Sequence, residues 1–123
     1  MPAVARLGDK TKGRTTGEHH GHYIDGRPVH GSGTLNGTIS GGCSDFVFID
    51  GKPCSVVGST ISETDNCGSG TGKTSQASSF VFIQSWYKGR ITRAAIPRVG
   101  DATSPHNGSA NIITGSPTVF IDK

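Results

Sequence analysis

One turn motif occurs three times in the sequence, as Arg6-Leu7-Gly8-Asp9-Lys10-Thr11, Val56-Val57-Gly58-Ser59-Thr60-Ile61 and Arg98-Val99-Gly100-Asp101-Ala102-Thr103. Each copy is followed by a loop rich in Gly, Ser, Thr and Asn, and then by a short apolar segment, at 46–49, 80–83 and 119–121. A unit that recurs in this way predicts a repeat architecture. We therefore expect one domain over 1–123, built from three repeats of approximately 1–53, 54–90 and 91–123.

The composition favours strands over helices. The chain has 123 residues, of which 19 are Gly and only 32% are hydrophobic. Interior glycines cost a helix about 1 kcal/mol each, and no apolar spacing of helical period occurs. Short β-branched and aromatic runs between turn residues predict strands. We expect an all-β fold with little or no helix, and a thin core that needs support from a metal, a partner or oligomerisation.

Charge and hydropathy exclude several classes of function. The formal net charge is +3, and the basic residues are scattered, which gives no indication of nucleic-acid binding. No apolar run could span a membrane and no signal peptide precedes the domain, so we expect a cytoplasmic origin. The three cysteines, Cys43, Cys54 and Cys67, cannot form a complete disulfide framework.

Metal-ligand residues recur at similar places in the three repeats. His30 lies 16 residues before Phe46, Cys67 lies 13 before Phe80, and His106 lies 12 before Thr118. If the repeats wind around a common axis, these three side chains converge on that axis. Three N and S ligands converging from loops form most of a zinc site. The alternative is that each His is a solvated loop residue and Cys67 a free thiol.

A closed structural zinc site needs a fourth ligand. The cluster of His19, His20 and His22 in the first loop offers it, and we prefer His20, with His22 as the alternative. A mixed His and Cys set favours zinc over iron. Such an ion contributes on the order of 10 kcal/mol to folding and would fix loops that have few side chains to pack. Cys43 and Cys54 flank the first apolar segment and are expected to be small core residues.

The segment Gly68-Ser69-Gly70-Thr71-Gly72-Lys73-Thr74 is similar to a phosphate-binding loop. Cys67 stands where that motif needs a glycine, and residues 61–66 are not predicted to form a buried strand before it. Residues 75–79 are too short and too poor in helix formers to supply the helix N-terminus that binds phosphate. The sequence therefore gives no support for nucleotide binding, and no nucleophile or carboxylate pair indicates an enzyme.

Several motifs along nearly the whole chain resemble the PAAR-repeat family, the spike-tip proteins of bacterial type VI secretion systems and tailed phages. The matching segments are Pro2-Ala3-Val4-Ala5-Arg6, Gly8-Asp9-Lys10-Thr11, Val47-Phe48-Ile49-Asp50-Gly51-Lys52-Pro53, Gly100-Asp101-Ala102-Thr103 and Ile113-Thr114-Gly115-Ser116-Pro117-Thr118-Val119-Phe120-Ile121. Three features depart from the family pattern: Gly58-Ser59 replaces Gly-Asp, the first loop is long and rich in His, and an insertion carries Trp86.

The resemblance implies a pseudo-three-fold cone whose base docks on the blunt end of a trimeric β-helical spike protein, one monomer per trimer. It also implies a zinc ion near the vertex, held by His30, Cys67, His106 and one of His20 or His22. The expected function is mechanical: the tip sharpens a contractile-injection spike and meets the target membrane transiently. No catalysis, small-molecule substrate or effector extension is expected, and the protein would leave the cytoplasm on the virion tail or the injection spike.

The base should expose apolar residues to the spike, because the free chain has little core. We expect this face to include some of Phe46, Phe48, Phe80, Phe82, Val119 and Ile121. The alternative function is a small zinc-stabilised β-domain that serves as an adaptor or a carbohydrate-binding module.

Overall fold

A computed structural model describes residues 2–15, 18–24, 27–30, 33–65, 68–106 and 108–122, with backbone only for 18–24, 27–30 and Tyr87. None of the described residues is helical, which confirms the all-β prediction. The strands in chain order are β1 (Lys10–Arg14), β2 (Glu18–Ile24), β3 (Arg27–His30), β4 (Thr34–Gly41), β5 (Phe48–Ile49), β6 (Lys52–Pro53), β7 (Thr60–Asp65), β8 (Gly68–Thr74), β9 (Phe82–Tyr87), β10 (Arg90–Ala95), β11 (Thr103–Ser104) and β12 (Ser109–Ile112).

Six strands form one antiparallel sheet in the order β11-β8-β7-β4-β1-β12. Its two edges also approach each other, because Ala102, next to β11, forms a bridge with Asn111 of β12. The sheet is therefore nearly closed into a barrel, and closure removes exposed strand edges. Three two-stranded sheets, β2-β3, β5-β6 and β9-β10, complete the described strands.

The barrel consists of three antiparallel strand pairs: β1 with β4, β7 with β8, and β11 with β12. We call them hairpins 1, 2 and 3. All three turn at the same end of the barrel, which we call the tip end, and the chain passes from one hairpin to the next at the opposite end, the base. The β2-β3 sheet is inserted at the tip of hairpin 1. At the foot of this insertion, the Thr15 and Gly33 backbones are joined by an N–H···O bond of 2.9 Å.

Two segments that the sequence suggested were loops are strands. Residues 12–37 contain parts of β1 and β4 and all of β2 and β3, and the segment similar to a phosphate-binding loop is β8. Residues 60–65, directly before it, also form a strand, so that part of the argument against a phosphate loop was wrong. The absence of a helix after β8 among the described residues still excludes the phosphate-loop geometry.

Glycine hides the strand pattern in these segments. In β4, burial alternates strictly, with Leu35, Gly37 and Ile39 facing the barrel interior. A Cβ on Gly37 would overlap the Thr11 hydroxyl and lie 2.7 Å from Ile61 Cγ2. The interior has no room for a side chain at this level, so the residue that marks the inward face is a glycine instead of an apolar residue.

The core lies toward the base. Ala5, Ile39, Ile61 and Ile112 form one buried cluster, and Val4, Cys54 and Ile96 form a second cluster beneath it. Burial raises the pKa of the Cys54 thiol to about 12, and this side chain is fully buried. Cys54 is a core residue, as predicted from the sequence, and half-buried Cys43 packs against the first cluster.

The three copies of the turn motif share one set of hydrogen bonds. Gly8, Gly58 and Gly100 have φ of 90°, 89° and 96°, a region that glycine adopts without strain. The residue after each glycine donates its N–H to the carbonyl three residues earlier, at 3.0 to 3.1 Å. The side-chain oxygen of that same residue, Asp9 Oδ2, Ser59 Oγ or Asp101 Oδ2, accepts the N–H of the residue three earlier.

In the second copy of the turn motif, serine replaces the aspartate and valine replaces the arginine that pairs with it. Asp9 receives Arg6 Nε and Nη2 at 3.0 and 3.1 Å, and Asp101 receives the same two groups of Arg98 at 2.9 Å each. These carboxylates are buried and need a cation. In the second copy the arginine position is Val56, so a neutral serine hydroxyl makes the turn without an unpaired charge.

Burial on opposite faces of one short segment gives a direct test of the barrel. Ile112 is 1% exposed in the core and Ile113, the next residue, is 48% exposed. We expect Ile112→Ala to lower the free energy of unfolding by about 2–5 kcal/mol, because it opens a cavity. Ile113→Ala should change it by less than about 0.5 kcal/mol. Urea unfolding of both variants checks this, and equal effects would contradict the described register.

Candidate metal centre and docking face

The tip of hairpin 3 lies against both other hairpins. A Cβ on Gly108 would overlap the carbonyl oxygen of Arg14 at the end of β1. On the other side, a Cβ on Gly70 of β8 would lie 2.7 to 2.9 Å from three ring atoms of His106. Glycine backbone therefore lets the three tips approach to contact distance. Any ligands carried on these tips are brought to one end of the molecule.

Two carboxylates of β7 hold the His106 ring. Glu63 Oε1 accepts the backbone N–H of His106 at 2.9 Å and lies 2.8 Å from ring Nδ1. Asp65 Oδ2 lies 3.0 Å from Nε2. The Glu63 side chain is fully buried, whereas the imidazole is partly exposed. Hydrogen bonding to Glu63 raises the pKa of His106, with a further contribution from Asp65 and some opposition from burial.

Glu63 and Asp65 were missed by the sequence analysis, although a signal was present. In β7 the residues at 61, 63 and 65 point to the same face of the strand, since side chains alternate. Ile61 is buried in the core, so Glu63 and Asp65 follow it up the barrel interior toward the tip. An acidic residue on the inward face of a strand needs a partner there, and His106 supplies it.

Of the predicted ligands, only His106 has a described side chain. His20 and His22, like His19, lie in β2, and His30 is the last residue of β3 and pairs with Glu18. Cys67 lies outside the described residues, between the last residue of β7 and the first of β8. The set of His20 or His22, His30, Cys67 and His106 therefore stays a prediction.

The described donors are compatible with a metal at this end. Among the described side chains, no three His, Cys, Asp or Glu residues form a group that could hold an ion. His106, however, has the arrangement of a metal-binding histidine, with one ring nitrogen bonded to a buried carboxylate. His106 therefore fits the role of one zinc ligand, and the site as a whole stays a prediction.

The base, at the opposite end from the metal centre, carries a set of exposed aromatic rings. The exposed side chains of the three apolar segments, which we call the Phe face, are Phe46, Phe48, Phe80, Phe82 and Phe120. Phe80 is 83% exposed, the largest value among the exposed large hydrophobic residues. The prediction of an apolar face was correct for the first four. The other two, Val119 and Ile121, are partly buried against the second core cluster, and exposed Phe120 was not among the six.

Three buried serines set which residues face outward. Ser44, Ser78 and Ser116 each accept, through Oγ, the backbone N–H groups of the second and third residues after them. This bond fixes the start of each apolar segment, and alternation then sends the third and fifth residues from each serine inward. Val119 and Ile121 are in that phase relative to Ser116. Superposing the three segments by sequence would have revealed the common serine.

The second repeat carries a longer hairpin than the others. β9 and β10 pair over six residues each, and the turn between them is Lys88-Gly89. Trp86 and Ile91, a cross-strand pair, are both exposed. The Trp86 ring lies 5.7 Å from the ring of Phe46, so the hairpin adds apolar surface beside the Phe face.

Comparison of the sequence with models of known protein families, and with curated proteins, found no match. The described part of the chain contains no helix that is long and apolar enough to cross a membrane.

The predicted ligand set can be tested by elemental mass spectrometry of the purified protein. We expect about one zinc per chain in the wild type, and its loss in Cys67→Ser and His106→Ala together with a lower Tm, because a bound ion stabilises the fold that binds it. Cys43→Ser is the matched control, since Cys43 is a free thiol packed on the core. Zinc retained by both ligand variants, or lost in the control, would contradict the assignment.

Proposed function

We propose that this protein is the tip of a contractile-injection spike and caps the blunt end of a trimeric β-helical spike protein, one monomer per trimer. The observation that carries the proposal is the threefold recurrence of the same local structure within one chain. A single chain with three equivalent parts can present a similar surface to each subunit of a trimer. The resemblance of its motifs to the PAAR-repeat family supports the same reading.

Three independent features recur once per repeat. The glycine turns at Gly8, Gly58 and Gly100 have nearly equal φ angles and the same hydrogen bonds. One serine turn precedes each apolar segment. The second core cluster takes one buried residue from each repeat, namely Val4, Cys54 and Ile96. Recurrence at this level of detail supports a pseudo-three-fold axis, and with it the repeat boundaries near 53 and 90.

The chain termini complete the third repeat. Ser116 N–H donates to the Val4 carbonyl at 2.8 Å, and Val4 N–H donates to the Val119 carbonyl at 3.1 Å. Residues 2–5 therefore pair with the third apolar segment, as 52–54 and 90–95 pair with the first and second. The third unit at the base is thus made of both ends of the chain, which supports three equivalent contacts with a trimer.

The Phe face supplies the surface for docking. Exposed phenylalanines from all three repeats lie on one side of segments whose other side packs on the core. An apolar surface rimmed by polar residues is typical of a protein interaction site. Burying such rings contributes about 25 cal/mol per Å² of apolar area removed from water. The spike end would therefore gain its affinity mainly from these side chains.

At the opposite end, zinc held by His30, Cys67, His106 and His20 or His22 would crosslink the tips. A closed structural zinc supplies no open coordination position for catalysis. The proposed role is mechanical, with transient contact with a target membrane and no enzymatic turnover, nucleic acid or small-molecule substrate. The protein would assemble in the cytoplasm and leave it on the spike.

One observation favours the alternative function of a zinc-stabilised adaptor or carbohydrate-binding module. Trp86 is exposed next to Phe46, and exposed aromatic rings stack on apolar faces of ligands. Affinity for a glycan, without affinity for the end of a β-helix, would support this alternative over the spike tip.

Docking can be measured by native mass spectrometry after mixing the full chain with a matching trimeric β-helical spike protein. We expect a complex of one chain and one trimer. Phe80→Asp should weaken it by at least tenfold, because a charge would be buried in the interface. Ile113→Asp is the control, since Ile113 is also exposed but lies outside the Phe face. No complex of this composition, or equal effects of both substitutions, would refute the proposal.

A further inference from the structure

We propose that Glu63 and Asp65 belong to the metal centre: Glu63 orients His106 so that Nε2 is the ligand atom, and Asp65 occupies Nε2 until metal takes its place. This inference depends on the zinc site of the proposed function. It assigns roles to two residues that no sequence motif indicated. It also identifies which nitrogen of His106 faces the ion.

Glu63 holds both the backbone and the ring of His106. One oxygen, Oε1, accepts the His106 backbone N–H at 2.9 Å and lies 2.8 Å from Nδ1. Glu63 is 1% exposed, and its Oε2 has no hydrogen-bond partner among the described residues. Burying a carboxylate costs free energy unless the group is paired with a hydrogen-bonding partner. The partner in contact with it is the imidazole.

Glycines let the ring and the carboxylate pack directly on the backbone of β8. A Cβ on Gly70 would lie 2.7 Å from His106 Cγ, so the imidazole lies directly on the β8 backbone. A Cβ on Gly72, two residues further along β8, would lie 2.8 Å from Glu63 Oε1 and from Pro105 Cα. On this side the ring and the carboxylate both pack on the backbone, and Nδ1 is directed at Glu63.

The contact between Glu63 and Nδ1 determines which ring nitrogen of His106 can bind a metal. A carboxylate oxygen only accepts, so Nδ1 must carry the proton in its contact with Glu63. Nε2 is then the nitrogen with a lone pair to offer a metal, which is the usual role of a second carboxylate behind a metal-binding histidine. Nε2 also faces Asp65, the last residue of β7, which is two positions before Cys67 in the sequence.

Asp65 and a metal compete for the same nitrogen. With Oδ2 3.0 Å from Nε2, the Asp65 carboxylate occupies the position that a metal bound to this nitrogen would need. When Nε2 becomes a ligand, its contact with Asp65 breaks. Removing each carboxylate separately should therefore have a different effect. The loss of Glu63 should weaken metal binding, and the loss of Asp65 should not.

The test is a zinc titration of the full chain against a chromophoric chelator, with Glu63→Gln, Asp65→Ala and Thr64→Ala. Thr64 is the control, because it is exposed on the outer face of the same strand. We expect Glu63→Gln to weaken zinc binding by about 10- to 100-fold. Asp65→Ala should bind at least as tightly as the wild type, and Thr64→Ala should equal it.

A second measurement does not depend on the variants folding. Two-bond ¹⁵N correlation NMR of the zinc-loaded wild type should show His106 protonated at Nδ1 and ligated through Nε2. Protonation at Nε2 would overturn the role of Glu63, as would an unchanged affinity in Glu63→Gln. Weaker binding in Asp65→Ala would overturn the competition with Asp65. A wild type that binds no zinc would refute the metal centre itself, an outcome distinct from these.

Discussion

The narrow interior of the six-stranded sheet is the constraint on which the rest of the structure depends. Strands from three hairpins surround a space that admits few side chains. A Cβ at Gly13 would overlap the Ser109 carbonyl, and one at Gly37 would overlap the Thr11 hydroxyl. Glycine is the residue that permits such close backbone approach. Closure of the sheet thus requires glycine at positions 13 and 37.

Closure divides the molecule into two ends with different means of stabilisation. Toward the base, four buried residues from the hairpins and the segment before β1, Ala5, Ile39, Ile61 and Ile112, form an apolar cluster. Toward the tip, the inward positions of β7 are Glu63 and Asp65, and the contacts are polar. Leu35 is the apolar side chain buried on the inward face of β4 at this end, so the tip combines limited apolar burial with polar contacts. The base instead has more apolar surface than its core can cover, and the Phe face is the result.

Much of the fold could be predicted from the sequence, because each repeat gives a separate indication of the same local structure. The β class, the turn at Asp50-Gly51 with both φ positive, and the burial of Cys54 follow from local residue preferences. The strands β4 and β8 could not be predicted, since glycine replaces the apolar residues that reveal a strand. Glu63 was also missed, because the partner that permits its burial is 43 residues away in the sequence. Only the closed sheet brings the two together.

The claim central to this account is that three hairpin tips meet at one metal ion. Zinc X-ray absorption spectroscopy of the purified full chain tests it most directly, because it counts ligand types. We predict one sulfur at about 2.3 Å and three imidazole nitrogens at about 2.0–2.1 Å. A zinc shell without sulfur, or with several waters, would show that Cys67 and the histidines do not converge, and the threefold arrangement of the tip would have to be abandoned.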